Sequence, residues 1–379
     1  MKIRSASVLL FSRDLDGTAW NPAFRWTQRR APLLVLETAQ GAYGLGEAWS
    51  RYDDLRSVLD VLSSVVAPAL AGLEVEEPLG CAERLRRQGG ARAAAWAEAA
   101  AFSAADMALW DAAAREAGQP VWRLLGGAHG RAKVYASGGL YRDGQSLQAL
   151  RDEARGYRHR GFDAMKMKVG GVGMAQDLQR VAAVRDGLGE EAELWVDAVG
   201  QFDLESAFRF GREAVAHRIS AVQSPLPADD IAGLALLNRK AFPVVAGEAE
   251  HDPIWFGRLL EAEAVSRLQY CLALCGGFSA ACRLDDRAQA AGIRSTPQCF
   301  STAIAQAATL HFAAARDNVE TAEFHCFHDH LAHLHLPAGV RIGDGCATLA
   351  DAPGLGVAVP WLGSHPDGSV VAAVARFQA

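Results

Sequence analysis

The sequence predicts an α/β protein: a closed barrel of eight parallel strands and seven helices, (β/α)7β, behind an N-terminal α+β unit. Three observations predict it. From about residue 132 onward, short β-branched or apolar runs alternate with helical patterns, roughly one strand per 25–30 residues. No helix pattern follows the eighth run, so the last helix of a full TIM barrel is missing. The first 130 residues read differently, with hairpin strands first and helices after them.

In order, "ASVLLFSR" and "APLLVLETAQGAYGLGEAW" read as hairpin-forming strands with a Gly-containing turn. Helical segments follow around 54–71, 75–88 and 94–117, the last closed by Gly118, Gln119 and Pro120. The barrel strands are then "AKVYASGG", "AMKMKVGG", "ELWVDAVG", "SAVQSPL", "PVVAGEAE", "SRLQYCLAL", "GIRSTPQ" and "VETAEFH". Stretches such as "LQALRDEARGYRHRG" and "AQDLQRVAAVRDGLG" lie between them, apolar at helical spacing and closed by glycine. The stretch after the eighth strand holds alternation, glycines and prolines instead.

Composition narrows the function classes. At 379 residues the chain has room for one large α/β domain and a smaller companion. A net charge of −6 and the lack of a long lysine/arginine run argue against a nucleic-acid surface. The N-terminus holds only four apolar residues in a row, too few for a signal-peptide core, and no stretch approaches a membrane span. "ARAAAWAEAAAFSAADMALW" is interrupted by Arg92, Glu98 and Asp106. Seven cysteines, an odd number, suit reduced thiols and a cytoplasmic protein.

In a barrel, chemistry sits at the C-terminal ends of strands. Strand two ends in "MKMKVGG", where alternation points Lys166 and Lys168 the same way. On a surface strand both would face water, yet this strand lies between helices and is covered on both faces. Strands three, four, five and eight end with Asp197, Gln223, Glu248 and Glu323, while six and seven carry Cys271 and Gln298. Carboxylates on separate strands suit a hard cation such as Mg2+.

The chain resembles the enolase superfamily, in its mandelate racemase and muconate lactonizing enzyme branch. The resemblance rests on "GAYGLGEAW", "SAADMALWDAAAREAGQPVWRLLGG", "MKMKVGG", "WVDAVGQF", "QSPLPADD", "AGEAE", "LCGGFS" and "APGLGV". It implies a capping domain over residues 1–130, a barrel over 131–328, and a segment over 329–379 that returns to the cap. It also implies Mg2+ held at Asp197, Gln223 and Glu248, with Lys168 as general base and Lys166 as its partner on the substrate carboxylate. Adjacent positive charge then lowers a lysine pKa towards working pH. Members of the family often form symmetric assemblies, so a homo-oligomer with a small carboxylic acid as its ligand is expected.

Four positions depart from the family pattern. Gln223 stands where the middle ligand is a Glu, so two carboxylates replace three and weaker metal binding is expected. Val199 replaces a usual Asn. Cys271 and Gln298 stand where an Asp–His pair often serves as second base and are expected to contact the substrate, as are His325 and Glu323, which keeps a substrate-binding carboxylate position. These features favour a Mg-assisted dehydratase of a sugar-derived acid, with Lys168 as base and acid on one face. The alternatives are a barrel that has lost this chemistry and acts in binding or a metal-independent reaction, or a racemase or epimerase.

Other features carry weaker expectations. His325, His328, His330, His333 and His335 with Cys326 read as scattered capping histidines or as a zinc or nickel site, with His325 and His328 nearest the mouth. Cys271 reads as a small buried hydrophobe or, by its position, a thiol nucleophile. Arg25, Arg29, Arg30, Trp20, Asn21 and Trp49 lie where family capping loops contact substrate, or else in a solvated loop.

Overall fold

The structure is a computed structural model and describes residues 1–50, 55–89, 95–300, 302–326, 339–359, 362–365 and 368–379. The cap is an antiparallel sheet in which the C-terminal strand Val370–Gln378 pairs with Ile3–Asp14, which pairs with Gln28–Thr38 and then Tyr43–Glu47. The helix Ala95–Glu116 packs on this sheet. Glycines 44 and 46 permit the contact: a Cβ on Gly46 would lie 1.9 Å from the Ala104 carbonyl oxygen, and one on Gly44 2.0 Å from that of Ala108.

The barrel strands are Arg131–Ser137, Ala164–Lys168, Glu193–Asp197, Ile219–Gln223, Val244–Ala246, Arg267–Leu268, Arg294–Ser295 and Ala322–His325. They run parallel in order, and strand eight pairs with strand one, while Glu323 N–H donates to Pro297 O at 3.0 Å across the seam with strand seven. Seven helices connect them, from Leu147–His159 to Ala303–Ala315. Alternation divides each strand between two layers. Met165 and Met167 join the apolar layer under the helices, while Ala164 joins Tyr135, Trp195, Ala221 and Val245 in the barrel centre. Lys166 and Lys168 therefore point inward, stacked above Ala164.

Strand six is shorter than its sequence pattern. Regular pairing stops at Leu268, and Gly276 and Gly277, at φ 107° and 72°, turn the chain into the next helix. The segment 75–80 is not helical either, because Pro78 and Gly80 (φ 68°) interrupt it ahead of the helix Cys81–Gly89.

Buried carboxylates join cap to barrel. Glu47, fully buried, accepts from the amides of Thr302 (3.3 Å) and Ala305 (3.1 Å) at the start of the seventh helix. Asp106 accepts from Ser279 N–H at 2.9 Å, while Asp111 ties the cap helix to the cap sheet and the C-terminal segment, accepting from Leu45 and Leu355 N–H at 2.8 and 2.7 Å. Burial pushes the Asp106 carboxyl up to about 7 and that of Asp111 to about 6. Among the described residues all seven cysteines are free and no helix is long and apolar enough to cross a membrane.

Candidate active site

Lys168, Asp197, Gln223 and Glu248 meet at the C-terminal ends of strands two to five. Backbone geometry aims the acidic groups. Asp197 closes strand three, and its Oδ1 accepts from the N–H of Val199 at 2.9 Å. That contact requires Val199 at φ 53°, a left-handed conformation that β-branched residues rarely adopt. Ser224 is left-handed too, φ 43°, and its hydroxyl donates to Glu248 Oε1 at 3.4 Å. Glu248 follows Gly247, where a Cβ would lie 2.1 Å from Gln269 O.

The side chains form one buried network. Lys168 Nζ donates to Asp197 Oδ2. Lys166 Nζ lies 3.1 Å from Glu323 Oε1 and 3.4 Å from Asp197 Oδ2. Gln223 Nε2 donates to Asp197 Oδ2 at 2.9 Å and also to Glu248 Oε2. Gln269 Nε2 donates to Gln223 Oε1 at 3.3 Å and to the Tyr135 hydroxyl at 3.2 Å. That hydroxyl lies 3.5 Å from Glu323 Oε2, which closes the circuit back to Lys166.

Burial and charge compete at each group. For Lys166, only 1% exposed, burial favours the neutral amine, but Glu323, Asp197 and Glu248 outweigh it and hold its pKa above the usual lysine range. Three carboxylates from other strands face it and outweigh both burial and the neighbouring ammonium. Burial works against ionisation of Asp197 as well, yet the ammonium groups of Lys168 and Lys166 keep its pKa below normal. Glu248 is pushed up to about 7 by burial first and by Asp197 second.

The donor set suits a small divalent cation. Gln223 touches both carboxylates, so three side chains share one point. Turning its amide about the last bond places its oxygen beside the two carboxylate oxygens and its NH2 towards Gln269. The Oε1 of Gln269 is buried without a hydrogen-bond partner, so that amide can turn in concert and accept. Among the described residues no group of three or more His, Cys, Asp and Glu could hold a metal, so a cation at this point would need the Gln223 amide oxygen as its third donor.

A cavity of about 300 Å3 opens above these groups. Lys168, Glu248, Val199 and Gln298 form part of its wall, and Asn21, Phe24, Trp26 and Trp49 reach it from the cap. The cap loop is pinned by Ala19–Trp20 pairing with Tyr141–Arg142, by Trp20 stacking on Tyr141 at 4.4 Å, and by Arg25 bonding Asp143 at 2.6 Å. Trp20 and Arg25 thus latch the loop outside the cavity wall, while Asn21 Oδ1 accepts from the Ala23 and Phe24 amides and turns the loop inward.

His325 is fully buried, 3.4 Å from Arg29 and edge-on to Phe300 at 5.2 Å. His328, His330, His333 and His335 lie outside the described residues. Cys271 is 3% exposed, and burial pushes its thiol up to about 12, which leaves little thiolate for a nucleophile. A smaller cavity of about 190 Å3 lies away from the strand ends, between the helices Cys81–Gly89 and Gly277–Ala290, where Arg283 pairs with Glu83 at 2.7 Å. Gln269 and Tyr135 were not expected in the network. Gln269 has the same inward parity as Cys271, but a neutral residue on a strand carries no charge signal.

The comparisons agree with this architecture. Residues 23–126 match the model of the mandelate racemase/muconate lactonizing enzyme N-terminal domain, and residues 149–361 match that of the enolase C-terminal domain-like family. Arabinonate dehydratase from Saccharolobus solfataricus is 28% identical over 86% of this chain and 87% of its own. A crystal structure of an enolase superfamily member from Polaromonas sp. JS666 superposes with a TM-score of 0.85, at 30% identity, covering 95% and 96% of the two chains. An L-talarate/galactarate dehydratase variant liganded with Mg and L-glucarate superposes at 0.83, with 25% identity and 95% and 90% coverage. Other relatives are cycloisomerases and epimerases.

Proposed function

The chain belongs to the mandelate racemase/muconate lactonizing enzyme branch of the enolase superfamily, and on that premise we propose that it removes the α-proton of a carboxylic acid with Lys168. The observation that carries this is the asymmetry of the cavity. Lys168 and Glu248 stand in its wall, while strand seven presents the neutral Gln298 and strand six contributes no charged group to it, its Cys271 being buried. One base on one face suits β-elimination of water from a hydroxylated, sugar-derived acid. Lys168 takes the α-proton as the C–H bond breaks. The β-hydroxyl leaves with a proton from the resulting ammonium, and the enol product tautomerises to a 2-oxo acid.

Asp197 and Glu248, with the amide oxygen of Gln223, are the residues to hold Mg2+. When bound, the cation supplies positive charge that polarises the substrate carboxylate. Asp197 positions the Lys168 amine at the wall. Lys166, enclosed between Glu323 and Asp197, keeps a fixed positive charge behind it. The cap loop, latched by Arg25 and Trp20, restricts water over the site.

The test is incubation in D2O with Mg2+ and a panel of hydroxy acids, read by NMR. The α-proton should exchange with retention of configuration, and Lys168→Ala should abolish exchange. Exchange that survives in this variant means another base. Racemisation with exchange means a second base on the opposite face. A second reading, binding or metal-independent chemistry, rests on the Gln223 amide that already bridges both carboxylates, and no exchange with any acid favours it.

A further inference from the structure

The cavity of about 190 Å3 on the seam between cap and barrel plays no part in proton abstraction. Its walls come from the cap helices Cys81–Gly89 and Ala95–Glu116 and from the barrel helices Pro253–Glu261 and Gly277–Ala290. Its floor is apolar and buried: Ala99, Phe102, Phe256 and Leu284 are each at most 6% exposed. Cys275 lines it too, and burial raises the pKa of its thiol well above the usual range, so the thiol adds no charge.

The rim differs. Arg86, Arg283 and Arg287 line the same cavity, on a chain whose net charge is −6. Glu83 is the one acidic residue of the described wall, and it is already shared, taking Arg283 at 2.7 Å and Arg87 on its other oxygen. The carboxylate facing Arg86, that of Glu98, is 3.9 Å away. Arg287 donates to Pro253 O at 3.0 Å, and among the described residues no carboxylate lies within ion-pair distance of it. Gly257 leaves it room: a Cβ there would lie 2.5 Å from Arg287 Nη2. Arg283 and Arg287 are four residues apart on one helix and so share a face. Guanidiniums gathered without matching carboxylates repel one another, and an anion between them relieves that repulsion.

We propose that this cavity binds a small organic carboxylate, with its charged end on Arg283 and Arg287 and its hydrocarbon body on the apolar floor. The planar fork of arginine matches the two oxygens of a carboxylate. The body matters as much, because a bare anion leaves the floor uncovered and forgoes the apolar area that Phe102, Phe256 and Leu284 offer. A ligand seated there touches cap and barrel helices at once. The site needs neither Mg2+ nor Lys168, so it stands or falls apart from proton abstraction.

The experiment is isothermal titration of the full chain in EDTA at low salt with three probes: benzoate, benzamide and inorganic phosphate. Benzoate should bind at least about tenfold more tightly than benzamide, which keeps the ring without the charge, and than phosphate, which keeps the charge without the ring. Arg287→Gln, at an exposed position, should weaken benzoate about fivefold. Ala280→Leu, which fills the cavity and keeps the arginines, should weaken it at least about tenfold. Lys168→Ala should leave it unchanged, and a loss there assigns the binding to the strand ends and overturns the proposal. Benzamide or phosphate matching benzoate in the wild type overturns it without any variant, as does failure of benzoate to bind. Benzoate affinity that survives either Arg287→Gln or Ala280→Leu unchanged overturns it as well.

Discussion

Gln223→Glu restores the third carboxylate, and its consequences can be worked from the geometry. The wild-type amide donates to Asp197 Oδ2 at 2.9 Å and to Glu248 Oε2. The substitution removes both bonds and sets a third carboxyl against two others. At about 3 Å and an effective dielectric near 20, each like-charge pair has a Coulomb ceiling of about 5 kcal/mol. Proton uptake and the lysines cut this down, and an uncompensated buried charge typically costs about 3–5 kcal/mol. Unfolding entropy is about 2.1 cal/mol/K per residue, or about 0.8 kcal/mol/K here, so about 4 kcal/mol lowers Tm by about 5 °C. Calorimetric unfolding in EDTA should show that loss, and saturating MgCl2 should reverse it, with a Mg2+-dependent rise larger than in the wild type. A variant as stable as wild type in EDTA refutes the bridging amide. Equal Mg2+-dependent rises in the two proteins refute the argument from the missing charge.

Other outcomes follow from particular groups. The Asp106 carboxyl lies at about 7, above its unfolded value, so the folded state keeps a proton that the unfolded chain releases. Stability should therefore fall as pH rises from about 4 to about 7. Asp106→Asn should flatten that fall and stabilise the protein by about 2 kcal/mol at about pH 8, as read by chemical denaturation. Val199→Asn should gain about 1 kcal/mol by relieving the left-handed valine, read the same way. Mg2+ affinity should rise when a bound acid contributes its own carboxylate, and acid affinity should rise equally with Mg2+, measured by reciprocal titrations.

The sequence carried the barrel because strand spacing and strand-end charges are local patterns. The lysine pair was legible from two-residue alternation alone, and the inward layer of Ala164, Tyr135 and Trp195 shows why both lysines face the axis. Other features depend on distant partners. The raised pKa of Lys166 comes from carboxylates on strands three, five and eight, which no neighbour in "MKMKVGG" signals. Asp106 reads as an interruption of an apolar helix, and only the fold brings it to Ser279. Trp20 and Arg25 belong to a loop near the mouth, but their partners Tyr141 and Asp143 follow strand one and draw them out of the wall. The left-handed backbone at Val199 runs against the preference of a β-branched residue and could not be read from local propensity.

The charges at the strand ends explain why glutamine is tolerated at position 223. Two lysines face three carboxylates, Asp197, Glu248 and Glu323, which leaves an excess of one negative charge. Glu248, pushed up to about 7, can remove that excess by taking a proton. A glutamate at 223 would raise the excess to two and leave the centre dependent on a cation. The amide instead stabilises the same carboxylates by hydrogen bonds, so the barrel holds these side chains in place without a cation. The cost falls on metal affinity, since an amide oxygen offers a dipole where a carboxylate offers a charge. On the proposed function a substrate carboxylate would supply the missing negative charge, which would make the acid itself part of what retains the cation. Such a site would then be complete only with its acid present, and the neutral Gln298 in the wall leaves Lys168 as the proposed route for the proton.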